Sequence, residues 1–318
     1  MAQRWGITIP LPERPLAEQR ELIAALPDLG YTDVWSAEGG AADAFTPLAL
    51  AATWAPELRL GTAIVPVYTR GPATLAMSAA TLAAAAPGRF ALGVGTSSDV
   101  IVGKWNGIPF EEPYKRVRDT VRFLRAAWTG QKVTERYDTF EVRGFTAGLV
   151  PDQPPPILIA ALRPGMLRLA GREGDGAIIN WLSAEDVRTV VPHVQQGGTG
   201  KEIAARIFVM PDVEPDTARG IARRMITAYL NVPVYRAFHE WLGRERLEPM
   251  WAAWERGERK EALAAIPDEV VDELVVHGPA GYCRERVQQY VDNGVTTPVL
   301  ALSASGDPGE AIRALGLR

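Results

Sequence analysis

An arginine and a proline stand where the chain changes from a buried strand to a helix. Ile157–Ala160 is a short apolar run typical of a strand buried on both faces, and Pro164 suits the first turn of the helix that follows. The N–H groups of Leu162 and Arg163, the helix dipole and the guanidinium together suit a phosphate group. Arginines at helix starts are often simply solvated, so a surface role for Arg163 is the alternative.

A second strand end follows and should lie beside the first. A tight turn leads into another apolar run, Ala177–Ile179, so strand, helix and strand form one βαβ unit whose two strands are parallel. Ligand sites in such units lie at the carboxyl ends of the strands. We therefore expect Asn180 and Trp181 to share a pocket with Ala161. Packing at the rim is an equal alternative for the tryptophan.

Two other predicted strands are followed by side chains that can do acid–base or hydrogen-bonding chemistry. Beyond the third strand, Tyr68 can donate a hydrogen bond to a ligand or a reacting oxygen, and Arg70 can anchor an anion. Glu38 is the acidic group directly beyond the second strand, and a carboxylate in a dry pocket can act as an acid or a base. Ordinary surface loops with solvated charges are the alternative for both segments.

The fourth predicted strand runs into a segment of small residues. Gly95 allows backbone to approach a flat ligand closely, and Thr96, Ser97 and Ser98 offer it hydroxyl and N–H groups. Glycine-rich turns are common, and the third glycine of a G-x-G-x-x-G dinucleotide fingerprint is missing. The sequence of this segment is therefore weak evidence for a ligand-binding loop, because an ordinary turn would look the same.

The histidines and the cysteine point away from metal or nucleophile chemistry. His193, His239 and His277 are expected on or beside helices, away from the strand ends, and they show no metal-ligand spacing. Cys283, the one cysteine, is more typical of a buried small hydrophobe than of a nucleophile. We predict no metal site, and we expect a bound cofactor to supply the chemistry.

The elements that position these residues repeat as strand and helix along the chain. This alternation predicts a (β/α)8 TIM barrel with insertions, and a doubly wound sheet is the alternative. One domain, 1–318, is expected, with a helical insertion at about 212–275 and a possible hairpin within Gln131–Gln153. The predicted strands are Arg4–Pro10, Thr32–Ser36, Arg59–Val65, Arg89–Val94, Ile157–Ala160, Ala177–Ile179, Ala205–Met210 and Pro298–Leu302.

Composition limits the functional classes to which this protein can belong. The 318 residues are 47% hydrophobic and 23% charged, which is ordinary for a globular enzyme. A net charge of −4 without a basic stripe disfavours nucleic-acid binding. The N-terminal segment lacks the apolar core of a signal peptide, and no apolar stretch is long enough to span a bilayer. We expect a soluble cytoplasmic protein that acts on a small molecule and does not bind membranes.

Four ordered segments resemble the luciferase-like monooxygenase superfamily, and within it the oxidoreductases that use the deazaflavin coenzyme F420. The resemblance covers the chain well from Arg4 to about Trp181 and is weak through Asp216–Glu273. The segments are DVWSAEGGAADAFTPLALAA from Asp33, LGTAIVPVYTRGPATLA from Leu60, PGRFALGVGTSSDVIVGKWNGIPFEEPYKRVRDTVRFLR from Pro87 and PPPILIAALRPGMLRLAGREGDGAIINWL from Pro154.

This resemblance implies a barrel that holds a deazaflavin, or FMN as the alternative, at the carboxyl end of its strands, often in a homodimer. It implies a cis peptide between Ala63 and Ile64 behind the ring, with the Gly95–Ser98 turn against the ring or the ribityl chain. The backbone of Ala161, Leu162 and Arg163 would hold the phosphate, with Asn180 and Trp181 nearby. The resemblance thus assigns a cofactor role to the strand ends identified above.

One departure concerns proton transfer. Several F420-dependent members place a histidine just after the second strand, where this chain has Ser36-Ala37-Glu38. That role is vacant or passes to Glu38, with Tyr68 as the other candidate catalytic residue. The expected activity is hydride transfer between F420 and a small organic substrate. An FMN-dependent monooxygenase and a barrel that binds cofactor without turnover are the alternatives.

Overall fold

The predicted (β/α)8 barrel is present. The computed structural model describes residues 3–303 and 306–318, and within these ranges eight parallel strands close on one another. The strands in chain order are β1 (Gly6–Thr8), β2 (Asp33–Ser36), β3 (Arg59–Thr62), β4 (Val65–Pro66), β5 (Phe90–Gly95), β6 (Val133–Arg136), β7 (Glu141–Phe145), β8 (Ile157–Ala160), β9 (Gly176–Asn180), β10 (Glu202–Pro211), β11 (Val276–Gly278) and β12 (Thr297–Leu302). The barrel order is β1, β2, β3, β5, β8, β9, β10 and β12, and β12 pairs with β1 to close it.

Helices connect the strands and cover the outside of the barrel. They are α1 (Arg20–Ala25), α2 (Phe45–Trp54), α3 (Pro72–Ala85), α4 (Pro113–Ala127), α5 (Pro164–Glu173), α6 (Val187–Gln195), α7 (Pro215–Leu230), α8 (Pro233–Trp241), α9 (Glu248–Glu255), α10 (Arg259–Ala264), α11 (Asp268–Leu274), α12 (Ala280–Asp292) and α13 (Pro308–Leu315). Helices α7–α11 form the helical insertion between β10 and β11. In the part of the chain that the structure describes, no helix has the length and apolarity to cross a membrane.

Three local features differ from the sequence expectation or add to it. A π-helical turn over Val100–Trp105 follows β5 in the connection to α4. A further short strand, β11, extends the sheet beside the end of β10. The third predicted strand ends early at Thr62 and resumes as β4, because a cis peptide interrupts it. The expected hairpin is confirmed as the antiparallel pair β6 and β7.

The barrel lumen is filled by side chains and is not a channel. Trp35 occupies the space beside β3, where a Cβ on Gly61 would collide with the indole ring. A bulky residue on β2 therefore requires glycine at the neighbouring position of β3. The buried residues that fill the lumen with Trp35 are Ala91, Leu158, Ile178, Ala204 and Val299.

A network of ion pairs closes the end of the barrel opposite the strand carboxyl ends. Arg59, at the start of β3, makes two hydrogen bonds of 2.6 and 2.7 Å to Glu202 at the start of β10. Asp33, at the start of β2, accepts from Arg59 at 3.3 Å and from Arg4 at 3.1 Å. Thr297 donates to Glu202 at 2.7 Å. Charged groups thus join the starts of several strands around the barrel. The other end, where the strand carboxyl ends meet, is left for ligands.

Candidate functional site

The interrupted third strand lies at the barrel mouth, the end where the strand carboxyl ends meet. The Ala63–Ile64 peptide is cis, as the resemblance implied. The N–H group of Ala63 donates to the Ser36 carbonyl at 2.7 Å, and the N–H group of Glu38 donates to the Ile64 carbonyl at 3.1 Å. Both sides of the cis bond are therefore fastened to the chain that leaves β2, which holds this backbone at the mouth.

Small residues pack closely beside the cis bond at the mouth. A Cβ on Gly95 would lie 2.8 Å from the Ala160 Cβ and 3.2 Å from Ile64 Cγ1. Ala63, Ile64 and Ala160 are partly buried and pack onto the lumen residues beneath them. This part of the mouth is consequently a floor of partly buried apolar groups, a surface on which a flat aromatic ring can lie.

Glu38 faces an arginine at the mouth. Its Oε1 atom accepts hydrogen bonds from Arg70 at 2.7 and 3.1 Å and from the N–H group of Ala44 at 3.4 Å. Arg70 also lies over the Phe45 ring at 4.9 Å. Glu38 is thus paired with an arginine, and its second oxygen, Oε2, makes no hydrogen bond to the residues described.

Tyr68 is held in a structural contact. Its hydroxyl donates to the Glu111 carbonyl at 2.6 Å, and its ring packs against Phe110 at 5.3 Å and beneath Arg116 at 5.6 Å. Burial raises the pKa of Tyr68 to about 12, partly opposed by Arg116. The Tyr68 hydroxyl, a candidate donor to a ligand in the sequence, therefore donates its hydrogen bond to the loop before α4.

The hydroxyls after β5 mostly stabilise their own loop. Thr96 donates to the Ser97 carbonyl at 3.2 Å, and Ser98 Oγ accepts from the N–H group of Ile101 at 3.4 Å. Ser97 has a left-handed backbone with φ of 61°. This loop thus leads directly into the π-helical turn, and it offers a ligand mainly the Ser97 side chain and backbone groups.

The segment predicted to hold a phosphate has the expected local geometry. Ala161 is fixed to the neighbouring strand by its N–H group, which donates to the Ile178 carbonyl at 3.0 Å. Arg163 has an extended backbone and stands directly before α5, with an exposed side chain. The N–H groups in the first turn of a helix have no intrahelical acceptor, and the space around Gly165 is open. Leu162 and Arg163 therefore lie where an anion can reach the start of α5.

The side chains of Asn180 and Trp181 contact different parts of the protein. The Asn180 side chain is hydrogen-bonded to the Tyr235 hydroxyl at 3.2 Å, which joins the end of β9 to α8. Trp181 has a left-handed backbone with φ of 53°, and its ring packs 4.2 Å from the Phe208 ring and 5.1 Å from the Tyr229 ring. The tryptophan side chain thus has the rim packing that the sequence left open, and Asn180 faces the mouth.

The sequence interpretation missed an arginine on β10. Arg206 lies in the register opposite Asn180 and Val299, two residues beyond the lumen residue Ala204. Alternate residues of a strand share a face, so the Arg206 side chain is on the lumen side, nearer the mouth. An arginine within the otherwise apolar run Ala204–Met210 was the available signal, because buried strands rarely carry one without a purpose.

The histidines take no part in the mouth floor. His193 is on α6 and His239 on α8, whereas His277 lies in β11 and contacts Asp272 at 2.8 Å, a strand position that the sequence did not predict. Burial, aided by Arg244, lowers the pKa of His239 to about 3. Cys283 is buried, as expected. Within 3–303 and 306–318, no group of three or more histidine, cysteine or acidic residues has metal-binding geometry.

Comparison with known proteins places this chain in a family. Residues 4–297 match the family model described as luciferase-like monooxygenase. The chain is 26% identical to a putative coenzyme F420-dependent oxidoreductase of Mycobacterium tuberculosis, covering 95% of this chain and 93% of that protein. It is 25% identical to a 5,10-methylenetetrahydromethanopterin reductase of Methanolobus tindarius, covering 90% of each.

A solved structure shares the fold over the whole chain. The coenzyme F420-dependent tetrahydromethanopterin reductase from Methanopyrus kandleri superposes with a TM-score of 0.78 at 21% identity, covering 100% of this chain and 98% of that one. The closed barrel, the cis bond at its mouth and the family match over nearly the full length agree with one another. The chain is therefore an oxidoreductase that belongs to the luciferase-like monooxygenase family.

Proposed function

We propose that this chain is an F420-dependent oxidoreductase that transfers a hydride between the deazaflavin and a small organic substrate. The observation that carries the proposal is the floor at the mouth, where Ile64 and Ala160 pack against Gly95 above the lumen residues. A Cβ at Gly95 would collide with Ala160 and press on Ile64, so glycine lets these residues pack into one low apolar surface, which suits a flat group. One curated relative, which matches 95% of the chain, is named as a putative coenzyme F420-dependent oxidoreductase.

The residues present suit the ring system and the phosphate of the cofactor. The floor of Ala63, Ile64 and Gly95 would lie against the ring system, and the start of α5 would receive the phosphate through Leu162, Arg163 and the helix dipole. When bound, F420 supplies the hydride-carrying carbon, and the protein supplies position and a water-poor surface.

Proton transfer is proposed for Glu38 and not for Tyr68. The Tyr68 hydroxyl already donates a hydrogen bond to the Glu111 carbonyl, whereas Arg70 binds Glu38 through its Oε1 atom only. Arg70 would fix the orientation of the carboxylate so that Oε2 faces the ligand. Glu38 would thus take the role after β2 that the resemblance assigns to a histidine in several F420-dependent members.

The first test is titration of the purified protein with F420 and, in parallel, with FMN, followed by fluorescence. We expect micromolar binding of F420 and weaker binding of FMN. Preferential FMN binding, with oxygen uptake by the reduced complex, would make the protein a monooxygenase. Binding of F420 without any reduction or oxidation by a panel of alcohols, aldehydes and enones would leave a binding protein. Binding of neither cofactor would overturn the proposal.

A matched pair of variants tests the phosphate position. Gly165→Asp places a negative charge in the first turn of α5, which should stabilise the helix by about 0.5 kcal/mol while repelling a phosphate. Gly165→Asn has the same shape without the charge, and both fit because the space around Gly165 is open. We expect the Asp variant alone to weaken F420 binding about tenfold, with no loss of stability. Equal affinities for the two variants would place the phosphate elsewhere.

A further inference from the structure

Arg206 lies between two apolar regions of the molecule. Beneath it is the lumen cluster that includes Ala204, the residue two positions earlier on the same strand. Above it is Phe208, whose ring centroid is 5.0 Å from the guanidinium carbon and which packs with the helical insertion. The guanidinium is therefore held in a largely buried position at the inner edge of the barrel mouth.

The charge of Arg206 is not neutralised by the protein. None of the ion pairs among residues 3–303 and 306–318 involves Arg206, and its Nε atom is buried without a hydrogen-bond partner. Burial lowers its pKa, and the phenols of Tyr229 and Tyr235 oppose this only in part. Phenols are uncharged at neutral pH, so they support the guanidinium without balancing its charge.

Other buried arginines of the chain show how unusual this is. Arg59 has Glu202 at 2.6 Å and Asp33 at 3.3 Å, and Arg244 has Asp186 at 2.5 Å. An unpaired buried charge costs several kcal/mol, so a position that keeps one has a use for the charge. Of these three arginines, Arg206 is the one that has no carboxylate partner among the described residues.

Further hydrogen-bond donors adjoin the guanidinium. Asn180 is its register neighbour on β9, and the Asn180 amide is hydrogen-bonded to the Tyr235 hydroxyl. Guanidinium, amide and hydroxyl groups together are the donors that bind a carboxylate or a phosphate. The Ala160 strand end, on the far side of β9, belongs to the floor assigned to the ring.

We propose that Arg206, with Asn180 and Tyr235, binds the anionic group of the substrate, so that the substrate is a carboxylate or phosphate ester. This inference rests on the proposed function, because it places the anion beside a ring at the floor. It is separate from the phosphate position at α5, which is formed by Arg163 and the helix start. The unneutralised guanidinium would then gain its counter-ion only when substrate enters.

The first experiment measures anion binding without cofactor. Thermal unfolding of the wild type is followed as chloride is replaced by acetate or by inorganic phosphate at constant ionic strength. We expect at least one of the two anions to raise the unfolding temperature, and Arg206→Gln to weaken that binding about tenfold to a hundredfold, as for a charged hydrogen-bond donor. Arg163→Gln is the control for binding at α5 and should leave the acetate response unchanged.

Two further variants keep the proposal testable if Arg206→Gln folds poorly. Arg206→Lys retains the charge and should retain part of the anion binding, and Tyr235→Phe removes one hydroxyl and should weaken it severalfold. No response of the wild type to either anion, or a response that survives Arg206→Gln and is lost in Arg163→Gln, would overturn the proposal.

The second experiment separates substrate from cofactor as the source of the anion. F420 is titrated into wild type and Arg206→Gln, and fluorescence gives the Kd of each. We expect equal Kd values, because the cofactor phosphate is assigned to α5. A tenfold weaker F420 affinity in the variant would assign Arg206 to the cofactor and overturn the substrate assignment. Failure of the wild type to bind F420, with Arg206-dependent anion binding intact, would refute the proposed function and not the anion site.

Discussion

Replacing Glu202 with glutamine should destabilise the barrel from the end opposite the site. Glutamine keeps the size of the side chain and can still accept from Thr297, but it loses the charge that pairs with Arg59. Removing one partner of a buried ion pair typically costs 3–5 kcal/mol. Asp33 remains 3.3 Å from Arg59, so we expect a loss near the lower end, about 3 kcal/mol.

The expected shift in unfolding temperature follows from the size of the protein. An unfolding entropy of about 2.1 cal/mol/K per residue over 318 residues gives about 0.7 kcal/mol/K, so 3 kcal/mol corresponds to roughly 4 °C. Urea unfolding, followed by fluorescence and circular dichroism together, gives the free energy itself. The matched control is Glu141→Gln, which breaks an exposed pair with Arg143 of 2.9 Å and should cost under about 0.5 kcal/mol.

The same pair makes a prediction about pH. Burial alone would raise the pKa of Glu202, but the hydrogen bonds and charge of Arg59 outweigh it and hold that pKa below its ordinary value. The ionised carboxylate therefore stabilises the fold above the unfolded pKa of about 4.3, and this contribution is lost as the pH falls further. The difference between wild type and Glu202→Gln should shrink below about pH 4. A Glu202→Gln variant as stable at pH 7 as Glu141→Gln would refute the reasoning.

Three further outcomes are expected. Glu38→Gln should lower kcat with F420 about a hundredfold, as for loss of a general acid or base, and an unchanged kcat would remove Glu38 from the catalytic residues. Tyr68→Phe loses the hydrogen bond to the Glu111 carbonyl and should cost about 1 kcal/mol in urea unfolding; a changed F420 affinity would contradict this structural role. Burial raises the pKa of the Cys283 thiol to about 12, so thiol reagents should label it far more slowly in the native than in the urea-unfolded protein, and rapid native labelling would show that the thiol is accessible.

Sequence patterns were sufficient for the barrel. Strands buried on both faces must be apolar throughout, so runs such as Ile157–Ala160 are visible without any tertiary information. Contacts between residues close in the chain also form the helix ends: the Asp43 carboxylate accepts from the N–H groups of Phe45 and Thr46 at 2.9 Å at the start of α2. The extra strand β11 was missed because three residues carry too little periodicity to be recognised.

The position of the candidate site was predictable from the sequence, but the hydrogen-bond partners of its residues were not. The strand ends around Ala63, Gly95 and Arg163 follow from topology, because parallel strands bring their carboxyl ends to one side. The partners of Glu38 and Tyr68 do not, since Arg70 and Glu111 come from loops whose paths the sequence leaves free. The cofactor roles of these residues and the homodimer stay predictions.

The sequence by itself determined the order of strands and helices and the family to which the chain belongs, and it predicts the end of the barrel at which the site lies. These depend on local periodicity and on motifs that are continuous along the chain. The tertiary structure decided which charges are balanced: Arg59 meets Glu202 from 143 positions away, whereas Arg206 meets no carboxylate in the described chain. Charge pairing depends on distances across the barrel, and the burial that makes an unpaired guanidinium costly exists only once the barrel has closed.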